Sequence, residues 1–483
     1  MFADLTPYPL YKDSGVSWLG DVPEHWDIKR LRNTAEIRIS NVDKNTEGDE
    51  SRVRLCNYVD VYKHDRISEH MPFMNATASP GEIDRFRLKT GDVLVTKDSE
   101  MWNDIGVPAL VETSSDDLLC GYHLALLRPI TNRIRGDFLF RAFQSTGVGY
   151  QLHIEANGVT RYGLSQDAIR SVWIPIPTLL EQAAIARYID YTDRRIRHYI
   201  RCKQRLITLL EEQKQALISR AVTRGIDSAA VLKPSGTPWL GNIPEHWTVS
   251  RSKHLFSVRK ELSRPGDVQL SATQAYGVIP QAEFEQRVGR RVVKISMHLE
   301  KRRHVEKDDF VISMRSFQGG LERAWASGAI RSSYVVLRPG PSVDVELFSY
   351  ILKSPGYIRA LQSTAEFIRD GQDLTFDNFR GVDLPVPPLD EQRAIAAEIT
   401  RAVSAITSNI TKVTSELDLI REYRMRLIAD VVTGKLDVRE VAASLPDESS
   451  QEHARLEETE SITEYDPEED DSTLEAESEE LDA

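Results

Sequence analysis

Two loops of this 483-residue chain carry polar side chains of the kind that hydrogen-bond to the base edges of DNA. One loop spans residues 96–104 and the other spans residues 313–320; each follows a short apolar segment and contains an aromatic residue. Arg and Lys side chains pair with guanine in the major groove, and Asn and Gln side chains pair with adenine. The pattern therefore predicts base contacts from Lys97, Asp98 and Asn103 in the first loop, and from Arg315, Ser316 and Gln318 in the second. An ordinary surface loop is the alternative interpretation.

Basic residues just before the second loop are candidates for contacts with DNA phosphates. Residues 248–387 contain 21 basic against 16 acidic residues, whereas residues 27–177 contain 19 basic against 21 acidic residues. Cations that neutralise phosphates supply much of the affinity for DNA without selecting a sequence. We therefore predict phosphate contacts at Arg290, Arg291, Arg302 and Arg303. The balance of charge leaves the role of residues 27–177 open.

The sequence lacks the motifs that would indicate an enzyme. It contains no P-loop, no glycine-rich turn suited to a dinucleotide or to S-adenosylmethionine, and no H-E-x-x-H or spaced cysteine pair for a metal. Its three cysteines, Cys56, Cys120 and Cys202, are scattered, which argues against a disulfide framework or a zinc cluster. We therefore expect a binding protein with no catalytic residue and no metal site of its own.

Two long helices are predicted to position the loops. The first runs from Leu179 to Gly225 and the second from Leu389 to Gly434, with a seam of mostly apolar residues at alternating steps of three and four. About 45 residues at 1.5 Å each give a rod of roughly 65 Å. Both helices open with the pattern P-x-P-x-L-x-E-Q, at a fixed offset of 210 residues. We predict that these two copies of one helix pair as an antiparallel coiled coil.

The first helix also carries a dense run of basic residues. Six of them fall within twelve positions: Arg194, Arg195, Arg197, Arg201, Lys203 and Arg205. Either a solvated coiled-coil face or a contact with phosphates or a partner explains such a run.

A second repeat shows that the whole chain is duplicated. Residues 14–26 read SGVSWLGDVPEHW and residues 235–247 read SGTPWLGNIPEHW, identical at nine of thirteen positions. Their histidines, His25 and His246, have no second histidine at ligand spacing and are interpreted as structural. Each loop precedes a stretch of short strands and helices and then one long helix. The predicted fold class is α+β: two globular domains separated by two long helices that form an antiparallel coiled coil, in a pseudo-twofold tandem repeat.

The composition divides the chain into seven regions. They are an anchoring loop (1–26), the first globular domain (27–177), the central long helix (178–226), a linker with the repeated Trp/Pro loop (227–247), the second globular domain (248–387), the distal long helix (388–436) and an acidic tail (437–483). Residues 447–483 hold 17 acidic residues against one base, so they contribute −16 to the net charge of −13 and leave the remainder at +3. Such a tail, poor in apolar residues, is expected to be disordered.

The sequence carries no signal for a membrane. It has no run of about 18 apolar residues, and its beginning lacks the basic-then-apolar pattern of a signal peptide. We therefore expect a cytoplasmic protein.

The tandem loops, the two P-x-P-x-L-x-E-Q helix openings and the duplicated plan together resemble the specificity subunit of a type I restriction-modification enzyme. The resemblance covers roughly residues 11–440 and leaves the acidic tail outside it. It implies that each globular domain is a target recognition domain that reads one half of a split double-stranded DNA site. It also implies that the helix pair sets the spacing and docks two modification (methyltransferase) subunits, with restriction (motor-nuclease) subunits completing the complex.

The same resemblance implies that this chain is not itself an enzyme. S-adenosylmethionine, ATP and Mg²⁺ would then belong to the partner subunits, and the chain would hold no cofactor. Two other classes stay open on the sequence: a DNA-modifying enzyme with an unrecognised motif, and a duplicated coiled-coil adaptor that binds proteins without sequence-specific DNA binding. Salt-dependent binding to duplex DNA separates the adaptor from a DNA reader.

Overall fold

The computed structural model describes residues 5–48, 50–289, 291, 299–313, 315–364 and 375–446. Most of the predicted acidic tail lies outside these residues, because the description ends at Pro446. The described chain divides into two compact units. Residues 5–203 and 415–446 belong to the first unit, and residues 204–414 belong to the second. No helix within the described ranges is both long enough and apolar enough to cross a membrane.

The elements before residue 225 are short strands and helices followed by one long helix. The strands are β1 (Tyr11–Asp13), β2 (Asp21–Pro23), β3 (Asp27–Arg30), β4 (Ala35–Ile39), β5 (Ser51–Cys56), β6 (Arg66–Ile67), β7 (Met74–Ala78), β8 (Val93–Thr96), β9 (Asp98–Ser99), β10 (Pro108–Val111), β11 (Leu118–Cys120), β12 (Leu124–Pro129), β13 (Tyr162–Gly163) and β14 (Trp173–Ile176). The helices are α1 (Tyr58–Lys63), α2 (Pro80–Phe86), α3 (Gly136–Gln144), α4 (Thr146–His153), α5 (Gln166–Ser171) and α6 (Leu179–Arg224).

The elements after residue 225 repeat this plan in a shorter form. The strands are β15 (Leu232–Pro234), β16 (Asn242–Pro244), β17 (Thr248–Arg251), β18 (Phe256–Val258), β19 (Leu270–Thr273), β20 (Gly277–Pro280), β21 (Arg303–Val305), β22 (Phe310–Ile312), β23 (Glu322–Arg323), β24 (Gly328–Ile330), β25 (Val335–Pro339) and β26 (Asp383–Val386). The helices are α7 (Ser252–Leu255), α8 (Gln281–Val288), α9 (Ser316–Gly319), α10 (Val345–Ile351), α11 (Pro355–Gln362), α12 (Phe376–Arg380), α13 (Leu389–Val432) and α14 (Arg439–Ser444).

The first unit is built around a five-stranded sheet of order β4-β12-β8-β10-β6. Strands β8 and β12 pair antiparallel, and both faces of the sheet are covered. Val93 and Leu127 pack into the core that contains Phe138 of α3, whereas Leu94 and Leu126 pack into the core under the second sheet, β11-β5-β7. Successive residues of a strand point to opposite faces, so burial on both sides explains why these strands are continuous apolar runs.

The second unit contains a four-stranded antiparallel sheet of order β18-β25-β22-β23. Phe310 and Leu337 from this sheet pack with Phe348 of α10 in one core. Phe256 sits at the centre of that core, with its ring centroid 5.5–5.7 Å from those of Phe310, Phe348 and Phe379. The order β18-β25-β22-β23 therefore corresponds to the order β4-β12-β8-β10 in the first unit, as expected for a duplication.

The two long helices end close to the predicted positions. Helix α6 stops at Arg224 and α13 stops at Val432, and glycines follow in the left-handed region: Gly225 has φ 72° and Gly434 has φ 78°. Glycine adopts this conformation without the steric cost of a Cβ atom, so it ends the helix cleanly.

Within each unit the two long helices pack on one another. In the first unit, Lys203 Nζ lies 2.9 Å from Glu416 Oε2, and Asp193 pairs with Arg424, so residue numbers fall along α13 as they rise along α6. In the second unit, Val222 near the end of α6 shares a core with Ile395 near the start of α13. Both contacts fit an antiparallel pair, and the predicted mixed α and β fold class with two domains and long helices is confirmed.

Candidate nucleic-acid interface

The first predicted reading loop begins where the buried strand β8 ends. Lys97 Nζ donates to Asp98 Oδ2 at 2.8 Å, and His123 Nδ1 lies 2.5 Å from the same oxygen. Burial alone would raise the pKa of the Asp98 carboxyl, but the hydrogen bonds from Lys97 and His123 outweigh it and hold the pKa below its ordinary value. Lys97 and Asp98 are thus brought together around His123, a residue that the sequence patterns did not indicate.

His123 is held in an unusual backbone conformation. Its φ is 69°, in the left-handed region that costs energy for residues with a Cβ atom. The backbone carbonyl of His123 accepts a hydrogen bond from the Lys97 amide at 3.1 Å, and its ring lies 4.0 Å from that of Tyr122. Strained residues of this kind cluster at binding sites, where the surrounding structure holds them in place. The one sequence signal was its position immediately before β12, the strand that pairs with β8.

The tip of the first loop presents polar and aromatic groups to solvent. Asn103 is exposed, and the neighbouring Trp102 ring is 49% exposed. Asp104 accepts a hydrogen bond from the Tyr62 hydroxyl at 2.8 Å, and Tyr62 stacks on Tyr58 with ring centroids 5.6 Å apart. The tip therefore combines an exposed amide with aromatic side chains supplied by α1, a composition suited to contact with bases.

The second predicted loop follows β22 and contains the short helix α9. Gln318 is exposed and Arg315 is partly exposed. Ser316 is fully buried, and its hydroxyl accepts a hydrogen bond from the Ser313 amide at 2.9 Å. The structure therefore contradicts the prediction of a base contact for Ser316, because its hydroxyl closes the turn inside the loop. A sequence pattern does not distinguish a serine that faces solvent from one that shapes its own turn.

The four predicted phosphate contacts have different surroundings. Arg290 lies outside the described residues, Arg291 is exposed, and Arg303 is partly exposed on β21. Arg302 is only 8% exposed, which contradicts the prediction that it faces DNA phosphates. Burial lowers the pKa of the Arg302 guanidinium, and the positive charge of Arg331 lowers it further. Arg302 is the residue immediately before β21, so two arginines that are adjacent in the sequence differ in exposure.

The repeated loops attach to the openings of the long helices. His25 Nε2 lies 2.8 Å from Glu181 Oε1, and Trp26 Nε1 donates to the same oxygen at 3.4 Å. In the second copy, His246 Nε2 lies 2.7 Å from Glu391 Oε2, and Trp247 Nε1 donates to Glu391 Oε1 at 3.0 Å. The histidine and tryptophan at the E-H-W end of each loop therefore contact the glutamate of the P-x-P-x-L-x-E-Q opening. Both histidines hold the scaffold together.

The glutamine of each opening holds the adjoining globular domain. Gln182 Oε1 accepts from the Arg135 amide at 2.8 Å, and Gln392 Oε1 accepts from the Asp344 amide at 2.8 Å. Each of these amides lies in the segment that starts a domain helix, α3 or α10. The two repeated motifs thus build the framework from which the reading loops project. Among the described residues, no group of His, Cys, Asp and Glu side chains is arranged to hold a metal ion.

Comparison with known proteins matches this framework. Residues 23–204 match the family described as the type I restriction modification DNA specificity domain. The putative type I restriction enzyme MjaX specificity subunit of Methanocaldococcus jannaschii is 23% identical over 431 residues, covering 87% of this chain and 96% of that protein. The type I restriction enzyme EcoBI specificity subunit of Escherichia coli is 23% identical over 312 residues, covering 61% and 65%.

A solved structure shares the fold. It comes from work on complex assembly and conformational transition of the type I R-M system, and its chain superposes with a TM-score of 0.63 at 16% identity. The match covers 86% of this chain and 99% of the other. The resemblance to type I specificity subunits is therefore confirmed.

Proposed function

We propose that this chain is a type I restriction-modification specificity subunit that reads a bipartite DNA target, one half with each globular domain. The first half-site is read by the loop around Lys97, Asp98 and Asn103, and the second by Arg315 and Gln318. Arg291, which is exposed, and Arg303, which is partly exposed, contact phosphates and set the position of the second domain on the duplex. His123 joins the first set because it fixes the Asp98 carboxylate.

One observation carries this proposal: the two reading loops leave equivalent strands of equivalent sheets but differ in their own structure. Strand β8 is third in β4-β12-β8-β10-β6, and β22 is third in β18-β25-β22-β23. The first loop continues as the strand β9, whereas the second turns into the helix α9. A common framework with different loops is what two independent readers of different sequences require.

The remaining parts of the chain serve assembly. The paired helices set the gap between the half-sites and dock two methyltransferase subunits; restriction subunits join the same complex. S-adenosylmethionine, ATP and Mg²⁺ bind to those partner subunits. This chain contributes DNA recognition without catalysis. The complex works in the cytoplasm, where it meets DNA.

Exchange of one domain tests the proposal. Residues 27–177 are replaced by the corresponding part of a related subunit whose target is known, and modified bases are sequenced from cells that also carry the methyltransferase subunit. One half of the methylated sequence should change and the other should stay. A change in both halves, or in neither, contradicts reading by separate domains.

Binding to random duplex DNA tests the adaptor alternative. A DNA reader binds random duplex with an affinity that falls steeply with salt, because bound cations release counterions from phosphates. An adaptor that binds only proteins shows no such binding.

The reciprocal exchange of residues 248–387 serves as the matched control for the exchange of residues 27–177 in the first domain.

A further inference from the structure

A cavity of about 800 Å³ lies within the second unit, where its globular domain meets the long helices. Helix α6 contributes Ile218 to the lining, α13 contributes Val403, and the segment after β23 contributes Trp325. Ile218 and Leu321 are buried and give the cavity an apolar floor. Cavities of about 300–1,000 Å³ that combine apolar walls with a few polar groups are typical of sites for small organic ligands.

The corresponding place in the first unit is filled by ion pairs. Arg66 Nη2 lies 2.9 Å from Asp190 Oδ2, and Arg141 binds both Asp190 and Asp193. Counted from the paired strands, from the starts of α3 and α10 and from the offset of 210 residues, the counterparts of Arg66, Arg141, Asp190 and Asp193 are Gly277, Tyr350, Thr400 and Val403. Three of these four neutral residues line the cavity. The second copy therefore has a cavity where the first has charged side chains.

Two aromatic rings of the cavity are each backed by an arginine. Arg323 Cζ lies 4.4 Å from the centroid of the Trp325 ring, and Arg287 Cζ lies 4.8 Å from the centroid of the Tyr276 ring. Both arginines also pair with carboxylates of this chain, so their charges are already balanced. Trp325 is still 48% exposed. The arginines therefore hold the rings in place, and the rings are available to stack on the flat ring of a ligand.

Two lysines of the same lining supply donors for an anion. Lys353 Nζ lies 2.6 Å from Glu322 Oε2 and donates to the backbone carbonyl of Gln274 at 2.8 Å. Lys214 pairs with Glu211, three residues earlier in α6. A lysine ammonium has three N–H donors, so each lysine can bind an anion in addition to these partners. The cavity thus combines rings suited to stacking with cations suited to a phosphate.

We propose that this cavity binds a mononucleotide, with its base on Trp325 and its phosphate held by the lysines Lys214 and Lys353. Stacking on an aromatic side chain accepts every base, because each base has a π face. Lysine binds phosphate as a point charge and needs no fixed orientation of the ligand. Leu321 and Glu322 of the lining directly follow the second loop, so the ligand lies against the segment that leaves this loop. The inference goes beyond the proposed function and does not depend on DNA binding.

Calorimetric titration of the full chain with adenosine 5′-monophosphate (AMP), without DNA, tests the site. Trp325→Ala should weaken the binding of AMP about tenfold, because the base loses its stacking partner. Lys214→Gln should weaken the binding of AMP about threefold, and leave the binding of adenosine unchanged because adenosine carries no phosphate. Trp18→Ala is the matched control: Trp18 is 47% exposed and belongs to the first unit, so this variant should bind AMP like the wild type.

Equal binding of AMP by the wild type and Trp325→Ala overturns the proposal, as does a wild type that shows no binding at about 1 mM AMP. Equal losses of AMP and adenosine in Lys214→Gln contradict the position of the phosphate. If AMP does not bind but Trp325→Ala loses the methyltransferase subunit, the cavity is a protein contact and the proposal fails. Lys214 is a partly exposed residue of a long helix, so Lys214→Gln keeps the test decisive if Trp325→Ala does not fold.

Hydrogen exchange of the full chain locates the ligand. Saturating AMP should slow amide exchange in the two segments that line the cavity, residues 275–280 and 321–326, because a bound ligand suppresses local opening. Exchange in the first loop, residues 96–104, should stay unchanged. Slower exchange in the first loop alone places AMP elsewhere and overturns the proposal. These measurements use no DNA, so failure of this inference is separate from failure of the domain exchange.

Discussion

Arg424 of α13 donates to the Asp193 carboxylate of α6, which is also bound by Arg141 of α3 at 3.0 Å. The Asp193 side chain is only 5% exposed. Burial alone would raise its pKa, but the hydrogen bonds and charges of Arg424 and Arg141 hold the pKa of Asp193 below its ordinary value. One carboxylate thus joins both long helices and the first globular domain.

Removal of this carboxylate should destabilise the first unit strongly. Asp193→Ala leaves the buried Arg141 without one of its two acidic partners, and the loss of one member of a buried ion pair costs about 3–5 kcal/mol. Denaturant unfolding followed by circular dichroism measures the change. Asp418→Ala on α13 is the control, because its exposed pair with Arg421 contributes no more than about 1 kcal/mol. Equal losses for the two variants contradict the role assigned to Asp193.

Replacement of His123 should separate backbone strain from recognition. His123→Gly removes the hydrogen bond to Asp98 but tolerates φ 69°, so the melting temperature should stay close to that of the wild type. His123→Ala loses the same bond and keeps the strain, so it should be less stable than the glycine variant by about 1 kcal/mol. Both variants should lose discrimination at the half-site read by the first domain and keep it at the other.

The three predicted residues of the second loop should respond differently to alanine substitution. Arg315→Ala or Gln318→Ala should weaken specific binding by about 1–3 kcal/mol and relax the choice at one base pair. Ser316→Ala should lower stability by about 1 kcal/mol and leave the choice of base intact, because the Ser313 amide loses its acceptor. Competition titrations against single-base variants of the target measure the choice. If Arg315→Ala weakens every duplex equally, this arginine positions the domain and does not read sequence.

His304 should make the second unit less stable at alkaline pH. It lies 2.8 Å from Asp267 and 2.9 Å from Glu306; burial alone would lower the pKa of His304, but these carboxylates raise it above the ordinary value. A raised pKa in the folded state adds stability below the unfolded pKa, about 6.5, and this stability is lost as pH rises through the folded pKa. The stability difference between the wild type and His304→Gln should therefore shrink from about pH 6 to about pH 9.

Lengthening the helix pair should widen the gap in the DNA target without changing the bases read. One heptad of helix-forming residues is inserted after Arg205 in α6 and another after Thr411 in α13. Each adds about 10 Å and keeps the faces of the helix aligned, which corresponds to about three base pairs. Sequencing of methylated sites measures the gap. An unchanged gap contradicts the role of the helices as a spacer.

The sequence alone determined the duplication and its framework. The seam and the glycines fixed the two helices to within two residues, since Gly225 and Gly434 end them by a local backbone property. The repeated loops and helix openings are recognisable because the same residues recur in both copies. The contact between loop and helix opening uses the same side chains in both copies, a histidine with Glu181 in the first and with Glu391 in the second. Such features depend on local periodicity and on identity between copies, which a single sequence contains.

Only the tertiary structure decided which polar residues face outward. The sequence predicted that Ser316 and Arg302 lie on the surface, but both are buried. Gln318 and Arg303, close to them in the chain, are exposed and partly exposed to solvent. His123 reaches the first site from the position just before β12, 25 residues beyond Asp98 in the chain, and the residue pattern does not indicate its left-handed backbone. Burial and convergence depend on packing between segments far apart in the chain, so composition and spacing within one loop do not specify them.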